Sequence, residues 1–220
     1  RDLLNAALFY LHIDELKRAS QTIMGVLDSN PSNLTATAIK GWVYLAAPKP
    51  EYIEKGLSIF EAVLNEEEGG NSQNIEALLG RAAYYEMNKN YSLAIEVITE
   101  VTIAYKDFVP GNIIKAKLHI INAEWDLVVE TAQKVLADDP SNVEAIRIFI
   151  FYYLSREKDH EVLMYKFEEL SNAFEEQESR NADAFYNYSK LFARICSRNG
   201  DVLKRCLQYI EKACSLRPEN

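Results

Sequence analysis

The sequence predicts an all-α protein built from repeated helix hairpins. Three observations support this prediction: the apolar pattern repeats every 34 residues over part of the chain, two turn segments are nearly identical, and turn-forming residues are scarce. The 220 residues include only 8 Gly and 6 Pro, which is too few for the many turns of an all-β protein. Hydrophobic residues make up 48% of the chain, so it can bury a core.

The two turn segments mark where helices stop and start. The stretches 29–33 (SNPSN) and 138–142 (DDPSN) each follow a long segment with helical apolar spacing. Because proline breaks helices and Asn or Ser begins them, each stretch ends one repeat and opens the next. The following repeats start at Leu34 and Val143, which are 109 residues apart, a distance that fits three repeats.

A small or apolar residue recurs at the eighth position of each repeat, and a ring recurs at the eleventh. A small side chain lets two antiparallel helices approach closely, and a ring three residues later can fill the space beside it. We therefore expect the eleventh residues to pack between helices. They are Tyr10, Tyr44, Tyr85, His119, Tyr153 and Phe192.

This spacing predicts six repeats, each with two helices, in a single domain. The repeats are predicted at 1–33, 34–74, 75–108, 109–142, 143–181 and 182–220. The helices are predicted, in order, over 2–13, 16–28, 34–46, 50–64, 73–87, 91–104, 109–121, 125–137, 143–156, 159–173, 181–197 and 202–215.

Three repeats depart from the common length, and each departure is interpreted as a loop insertion. The second repeat is lengthened by the proline-rich turn at 46–50 and the acidic loop at 66–70, and the fifth ends in the acidic stretch 175–178. The sixth has a longer first helix and a turn at Asn199 and Gly200. Because neither end of the chain carries a polar capping helix, the array is expected to continue in both directions.

Composition and motifs exclude several classes of function. The net charge of −9, from 24 basic and 33 acidic residues, argues against nucleic acid as a partner, and the apolar runs are too short for membrane insertion. His12, His119 and His160 lie in different repeats and no catalytic or metal-ligand spacing occurs, so we expect no enzyme activity, cofactor, metal or small-molecule substrate. Cys206 and Cys214 are expected to be buried reduced thiols of a cytoplasmic protein.

The spacing of 34 residues, with its small residue, ring and proline, resembles the tetratricopeptide repeat over essentially the whole chain. The resemblance implies a right-handed superhelical solenoid in which the first helix of each repeat lines a concave groove. The fifth, ninth and twelfth residues of each repeat then face the groove. They are unusually apolar, and the candidate contacts among them are Trp42, Leu45, Lys117, Arg147, Phe151 and Tyr186.

Two explanations of this apolar groove stay open. One is a bound segment, from this protein or another. The other is a tight curvature of the array, with the first helices packing on one another across the groove. Tetratricopeptide repeats that bind chaperone tails carry a clamp of Lys, Asn and Arg for two carboxylates. Leu4 and Leu8 stand at the corresponding first-repeat positions, which counts against that ligand.

Several blocks resemble one family more closely than the general repeat. They are Lys40-Gly41-Trp42, Ala77-Leu78-Leu79-Gly80, Asn90-Tyr91-Ser92-Leu93-Ala94, Trp125-Asp126 with the following Val129–Gln133, Asn142–Arg147 and Phe192-Ala193-Arg194. Their order and spacing resemble the N-terminal part of the tetratricopeptide-repeat subunit of intraflagellar transport complex A, the tetratricopeptide repeat protein 21 family.

That resemblance implies a non-catalytic scaffold for retrograde transport in cilia, found in the cytoplasm and the cilium, whose partners are other subunits of the complex. A second hypothesis is a free-standing adaptor or co-chaperone that binds a peptide in its concave groove. A third is a helical-repeat enzyme subunit, which the missing base and ligand constellation disfavours.

Overall fold

The computed structural model describes residues 2–66, 74–157, 159–177, 179–196 and 198–217. Within these ranges the regular structure consists of α-helices and one short π-helical segment, and no strand occurs. The all-α helical-repeat fold predicted from the sequence is therefore confirmed. Most predicted helices agree with the observed bounds to within two residues. Glu67, Glu68 and the glycines of the predicted acidic loop lie outside the described residues, as do Glu178 and the last three residues.

The chain forms two compact units, the first ending at Asn122 and the second beginning at Ala123. The helices of unit 1 are α1 (Asp2–His12), α2 (Leu16–Ser29), α3 (Leu34–Leu45), α4 (Pro50–Glu66), α5 (Ile75–Met87), α6 (Tyr91–Ala104) and α7 (Val109–Ile121). Those of unit 2 are α8 (Trp125–Asp138), α9 (Val143–Tyr152), α10 (His160–Gln177), α11 (Ala182–Ile195) and α12 (Gly200–Leu216). A single uninterrupted solenoid stays a prediction.

Helix hairpins are the building block of unit 1. Helices α1 and α2, α3 and α4, and α5 and α6 pack as successive pairs, and the first helices α1, α3 and α5 also contact one another in turn. In unit 2, α11 and α12 form the same kind of pair. These contacts join successive first helices and not helices on opposite sides of the groove, so both explanations of the apolar groove stay open.

Asparagine side chains set the start of half the helices. Each accepts a hydrogen bond from a backbone N–H in the first turn, as in the 3.0 Å bond from Ala36 N–H to Asn33 Oδ1, and so satisfies an amide that has no partner within the helix. The capping residues are Asn33, Asn74, Asn90, Asn142, Asn181 and Asn199. Helix starts were predictable because these caps are visible in the sequence.

One predicted helix changes its winding part-way along. The sequence predicts a continuous helix over 143–156, but α9 ends at Tyr152 and a π-helical segment, Tyr153–Glu157, follows it. A π turn is wider than an α turn and rotates the side chains that follow it. Leu154 and Arg156 lie in this segment, and Leu154 lines a cleft described below.

The hairpin turns use residues other than glycine in the left-handed conformation. Asp14 has φ of 60° and Lys89 has φ of 58°, each between the two helices of its hairpin. After Lys89 the backbone N–H of Asn90 donates to the carbonyl of Tyr85 at 2.8 Å, which closes the end of α5. Glycine is the residue that usually takes such a position, so these turns store backbone strain.

The largest buried rings come mainly from second helices. Phe60 on α4 and Phe167 and Phe174 on α10 are fully buried, whereas Phe192 is the only predicted packing ring that is fully buried. Phe60 lies between two glycines of first helices: a Cβ added at Gly41 would come 2.6 Å from its Cε1 atom. Small residues on first helices do admit a ring, but the ring belongs to the second helix of a hairpin.

Candidate interaction surfaces

Trp42 joins two first helices of unit 1. Its indole N–H donates a 3.0 Å hydrogen bond to the carbonyl oxygen of Glu76, in the first turn of α5, and its ring meets Phe60 edge-on with centroids 5.9 Å apart. Burial raises the pKa of the Glu76 carboxyl. Both the polar and the apolar part of the indole thus have a partner inside the unit, so Trp42 has a structural role whatever it binds.

The side chains of the other two candidate contacts in unit 1, Leu45 and Lys117, also have interaction partners. Leu45 is only 4% exposed and packs in the core with Phe60 and Val63. A partner could reach it only by displacing those side chains, and we leave it out of the surface proposed below. Lys117 on α7 is half-buried and has an interaction partner of its own.

Arg147 ties α9 to α11 in unit 2. Its guanidinium donates to Glu144 at 2.8 Å, lies 5.5 Å from the ring centroid of Tyr188, and approaches the Tyr188 hydroxyl at 3.4 Å. The Tyr188 hydroxyl donates in turn to Glu144 at 2.9 Å, and burial raises the pKa of Tyr188 to about 12. Because the charge of Arg147 is already matched by Glu144, a ligand carboxylate would have to compete for it.

Phe151 and Tyr186 differ in what they offer a partner. Phe151 is half-buried against Phe192, with ring centroids 5.8 Å apart. Tyr186 is 49% exposed, and the ammonium of Lys190 lies 5.8 Å above its ring. Among the six candidate contacts, Tyr186 is the one whose side chain is open to solvent.

The predicted packing rings occupy a range of environments. His119 is 3% exposed, while Tyr153 is half-buried and stacks on Phe149 at 6.5 Å. Tyr10, Tyr44 and Tyr85 are half-buried as well.

Sequence reasoning missed the second-helix rings as packing residues. Their signal was present, because Leu163, Phe167, Leu170 and Phe174 follow the helical spacing of one buried face.

A cleft opens in unit 2 at the ends of two hairpin turns. It has a volume of about 650 Å³ and is lined by Leu154, Ile195 and Cys196 on its apolar side and by His160 and Arg198 on its polar side. Ile195 is 47% exposed, so this apolar wall faces solvent. Sequence reasoning gave no indication of the cleft, because the π segment that places Leu154 there has no sequence signal.

Metal-ligating side chains do not cluster in the part of the chain that the structure describes. No group of three or more His, Cys, Asp or Glu side chains there could hold a metal ion. Burial raises the pKa of Cys196 to about 11 and also raises that of Cys206, so neither thiol is ionised near neutral pH. Cys214 was expected to be buried, which is wrong: it is exposed on α12. No described helix is both long and apolar enough to span a membrane.

Two family models match the chain. The model described as the tetratricopeptide repeat protein 21 N-terminal ARM repeat matches residues 1–129, and the one described as the second ARM domain of the same protein matches residues 165–220.

The chain belongs to the tetratricopeptide repeat protein 21 family.

Relatives in this family are much longer than the chain. Human tetratricopeptide repeat protein 21B is 35% identical over 217 residues, which cover 99% of this chain and 16% of the relative. The mouse protein of the same name is 36% identical over the same share of each chain, and mouse tetratricopeptide repeat protein 21A is 26% identical over 97% of this chain. The chain therefore spans about 16% of the length of the relatives it matches.

Solved structures share the fold at low identity. A structure titled as a functional characterisation of Pseudomonas aeruginosa pilF superposes with a TM-score of 0.67 at 13% identity, covering 100% of this chain and 92% of that one. YrrB, titled a tetratricopeptide-repeat protein with an unusual peptide-binding site, gives 0.52 at 16% identity over 90% and 93% of the two chains. Fold and family together support a repeat scaffold for protein–protein interaction as the class of function.

Proposed function

We propose that this chain is part of a non-catalytic scaffold subunit of intraflagellar transport complex A, and that it holds other protein subunits for retrograde transport in cilia. The observation that carries the proposal is the match of the N-terminal family model over residues 1–129. The sequence blocks that resemble this family extend through both units, from Lys40 to Arg194.

The repeat architecture favours a protein-binding function over a catalytic one. Helical repeats as a class present extended surfaces of helix faces and turns, which suit protein partners. Thiols held protonated by burial and the family's repeat architecture favour the same conclusion. The proposed location is the cytoplasm and the cilium, where such a complex works.

The surface of first helices in unit 2 is the proposed contact region of this chain. Tyr186 on α11 is 49% exposed, whereas Trp42 and Arg147 are engaged inside their own units. Aromatic side chains open to solvent are frequent anchors in protein interfaces, because they bury a large area at a small cost in side-chain entropy. We therefore place Tyr186 at the centre of the surface.

Affinity capture from an extract of ciliated cells, analysed by mass spectrometry, tests the proposal. The immobilised 220-residue chain is expected to recover other subunits of the transport complex. Tyr186→Asp should reduce that recovery, whereas Tyr165→Asp, a matched change at a tyrosine that is 59% exposed on α10, should not. Recovery of chaperones through their acidic tails would favour the adaptor hypothesis, and recovery of neither class would contradict the scaffold proposal.

A further inference from the structure

The acidic charge of the chain is unevenly distributed in unit 2. The whole chain has a net charge of −9, but residues 145–156 and 184–200 contain no Asp or Glu. These two stretches cover most of α9 and α11 and the turns that follow them, and they carry Arg147, Arg156, Lys190, Arg194 and Arg198. Helix α10 carries five carboxylates and one lysine, whereas α11 carries one carboxylate together with Lys190 and Arg194.

Three of these cations form a row at intervals of four residues. Lys190 and Arg194 lie on one face of α11, and Arg198 follows in the turn before α12. All three are exposed, and none is in an ion pair within the described part of unit 2. Lysines on the second helices behave differently: Lys166 pairs with Glu169 at 2.7 Å, and Lys212 lies 3.6 Å from Glu175.

The row ends at the cleft of about 650 Å³. Arg198 and His160 stand at its polar side, while Leu154, Ile195 and Cys196 form an apolar wall. The His160 Nε2–H donates a 3.1 Å hydrogen bond to the Asp201 carboxylate. The side-chain oxygen of Asn199 accepts from the amides of Asp201 and Val202, so these first amides of α12 already have partners. An incoming group would therefore meet the Arg198 guanidinium and the apolar wall.

From this arrangement we infer that the row of Lys190, Arg194 and Arg198, together with the cleft, binds an acidic segment of a partner protein that places one apolar side chain in the cleft. The inference rests on the proposed scaffold function and names the chemistry of its partner. Charge complementarity selects the acidic segment, because unpaired exposed cations next to each other repel one another until carboxylates neutralise them. The apolar wall selects a side chain such as Leu or Phe.

A protein segment fits this surface better than a nucleic acid does. A polynucleotide carries a phosphate at every step and needs a long track of cations, whereas the row has three. The acidic residues on α10, such as Glu168 and Glu175, would repel a long polyanion that passed over that helix. Tyr186 beside Lys190 offers a ring to either ligand, so the test includes both.

The probes are four short ligands measured by fluorescence anisotropy against the full 220-residue chain. The first is a fluorescein-labelled peptide of Glu and Ser with one central Leu. The second has Gln for every Glu, the third has Ala for the Leu, and the fourth is a single-stranded DNA of the same charge. The chain is expected to bind the first peptide most tightly, with affinity that falls as salt is added.

Charge reversal at matched positions tests where the peptide binds. Arg194→Glu is expected to weaken binding of the Glu–Leu peptide by roughly tenfold, because an exposed charge pair is lost and a repulsion replaces it. Lys134→Glu makes the same change at an exposed residue of α8 in the same unit and should alter affinity by less than about twofold. Arg198→Glu repeats the test at a residue outside any helix, where the change should have little effect on folding. Thermal melting verifies that each variant is folded.

Each outcome supports or overturns the inference. Selective loss with Arg194→Glu and Arg198→Glu, together with weaker binding of the Gln and Ala peptides, supports it. Three results would overturn the inference. An equal loss of affinity with Lys134→Glu would show unspecific charge attraction, and tighter binding of the DNA would show a nucleic-acid surface. Unchanged affinity on replacing Leu with Ala would show that the cleft is unused. If the peptide binds but affinity capture recovers no transport subunit, the proposed function is contradicted and this inference stands. If transport subunits are recovered but the peptide does not bind, only this inference is overturned.

Discussion

The ring of Phe60 on α4 fills the space that a side chain at Gly80 on α5 would need. A Cβ placed on Gly80 would overlap the ring, and Gly41 on α3 faces the same ring from another helix. The close approach of α3, α4 and α5 thus depends on two glycines and one phenylalanine. Glycine in a helix weakens that helix, so its use here is explained by the room it leaves for packing.

Replacing Gly80 with Ala should destabilise the chain. A methyl group would push Phe60 out of a fully buried position, and overpacking of this kind costs about 1 to 3 kcal/mol. Urea unfolding followed by circular dichroism measures the change in the free energy of unfolding.

Gly25→Ala is the matched control, because a Cβ at Gly25 meets no atom within 4 Å and the residue lies inside α2. That variant should gain about 0.5 to 1 kcal/mol from better helix propensity. A gain with Gly80→Ala as well would show that Phe60 is not confined as described. In the double variant Gly80→Ala/Phe60→Leu, the smaller side chain should recover part of the loss.

Trp42→Phe should cost about 0.5 to 1.5 kcal/mol of stability. The ring contact with Phe60 is partly kept, but the hydrogen bond from the indole N–H to the Glu76 carbonyl is lost. The second tryptophan gives the control: the Trp125 indole makes no hydrogen bond within the described residues, so Trp125→Phe should cost less. Equal costs in chemical unfolding would argue that the hydrogen bond contributes nothing.

Lys89→Gly should stabilise unit 1 by about 1 kcal/mol. Lys89 has φ of 58°, a conformation that costs energy for any residue with a side chain and very little for glycine. Lys89→Ala removes the same charge but keeps the Cβ, so its melting temperature should stay near that of the unmodified chain. A higher melting temperature in both variants would assign the effect to the lost charge. No rise in either variant would contradict the claim that the backbone of Lys89 is strained.

Alkaline pH should destabilise unit 2 through Tyr209. Burial raises the pKa of Tyr209 from 10.0 to about 12, and its hydroxyl donates to the carbonyl of Phe167 at 3.2 Å. Between these pKa values the unfolded chain ionises the phenol while the folded chain keeps it protonated. Tyr209 therefore leaves the free energy of unfolding unchanged below about pH 10 and lowers it as the pH rises towards 12.

The measurement for Tyr209 is the urea midpoint as a function of pH. Tyr209→Phe should start less stable, because it loses two hydrogen bonds, and then lose less stability than the unmodified chain at high pH. Tyr165→Phe, at a tyrosine that is 59% exposed, should leave the pH dependence unchanged. Identical slopes in all three proteins would contradict a buried, protonated Tyr209.

The sequence predicts the helices well because their boundaries are local. Asn33 and Asn142 cap helices with their own side chains, and prolines stop them, so a few neighbouring residues determine each start. The packing partners are not local. Nothing near Gly80 indicates that Phe60, twenty residues earlier, lies against it, and the exposure of Cys214 depends on which face of α12 packs on α11.

The candidate contacts were predicted less well than the fold, for a related reason. The helical spacing identifies the face to which Trp42, Leu45 and Arg147 belong, but not their partners. Trp42 bonds a backbone carbonyl of α5, Leu45 packs on α4, and Arg147 pairs with Glu144 of its own helix. The row of Lys190, Arg194 and Arg198 was hidden by the average charge of the chain, although its spacing of four residues and the absence of acids from 184–200 are both visible in the sequence.

The central claim is that the chain holds protein subunits on the first-helix surface of unit 2. Cross-linking mass spectrometry on the captured complex tests this claim most directly. With a lysine-reactive reagent, cross-links to other transport subunits should concentrate at Lys190 on α11 and be rare at Lys134 on α8, although both lysines are exposed. Transport subunits recovered with cross-links at Lys190 are the predicted result. Recovery of none of these subunits, or cross-links that favour Lys134, would contradict the account.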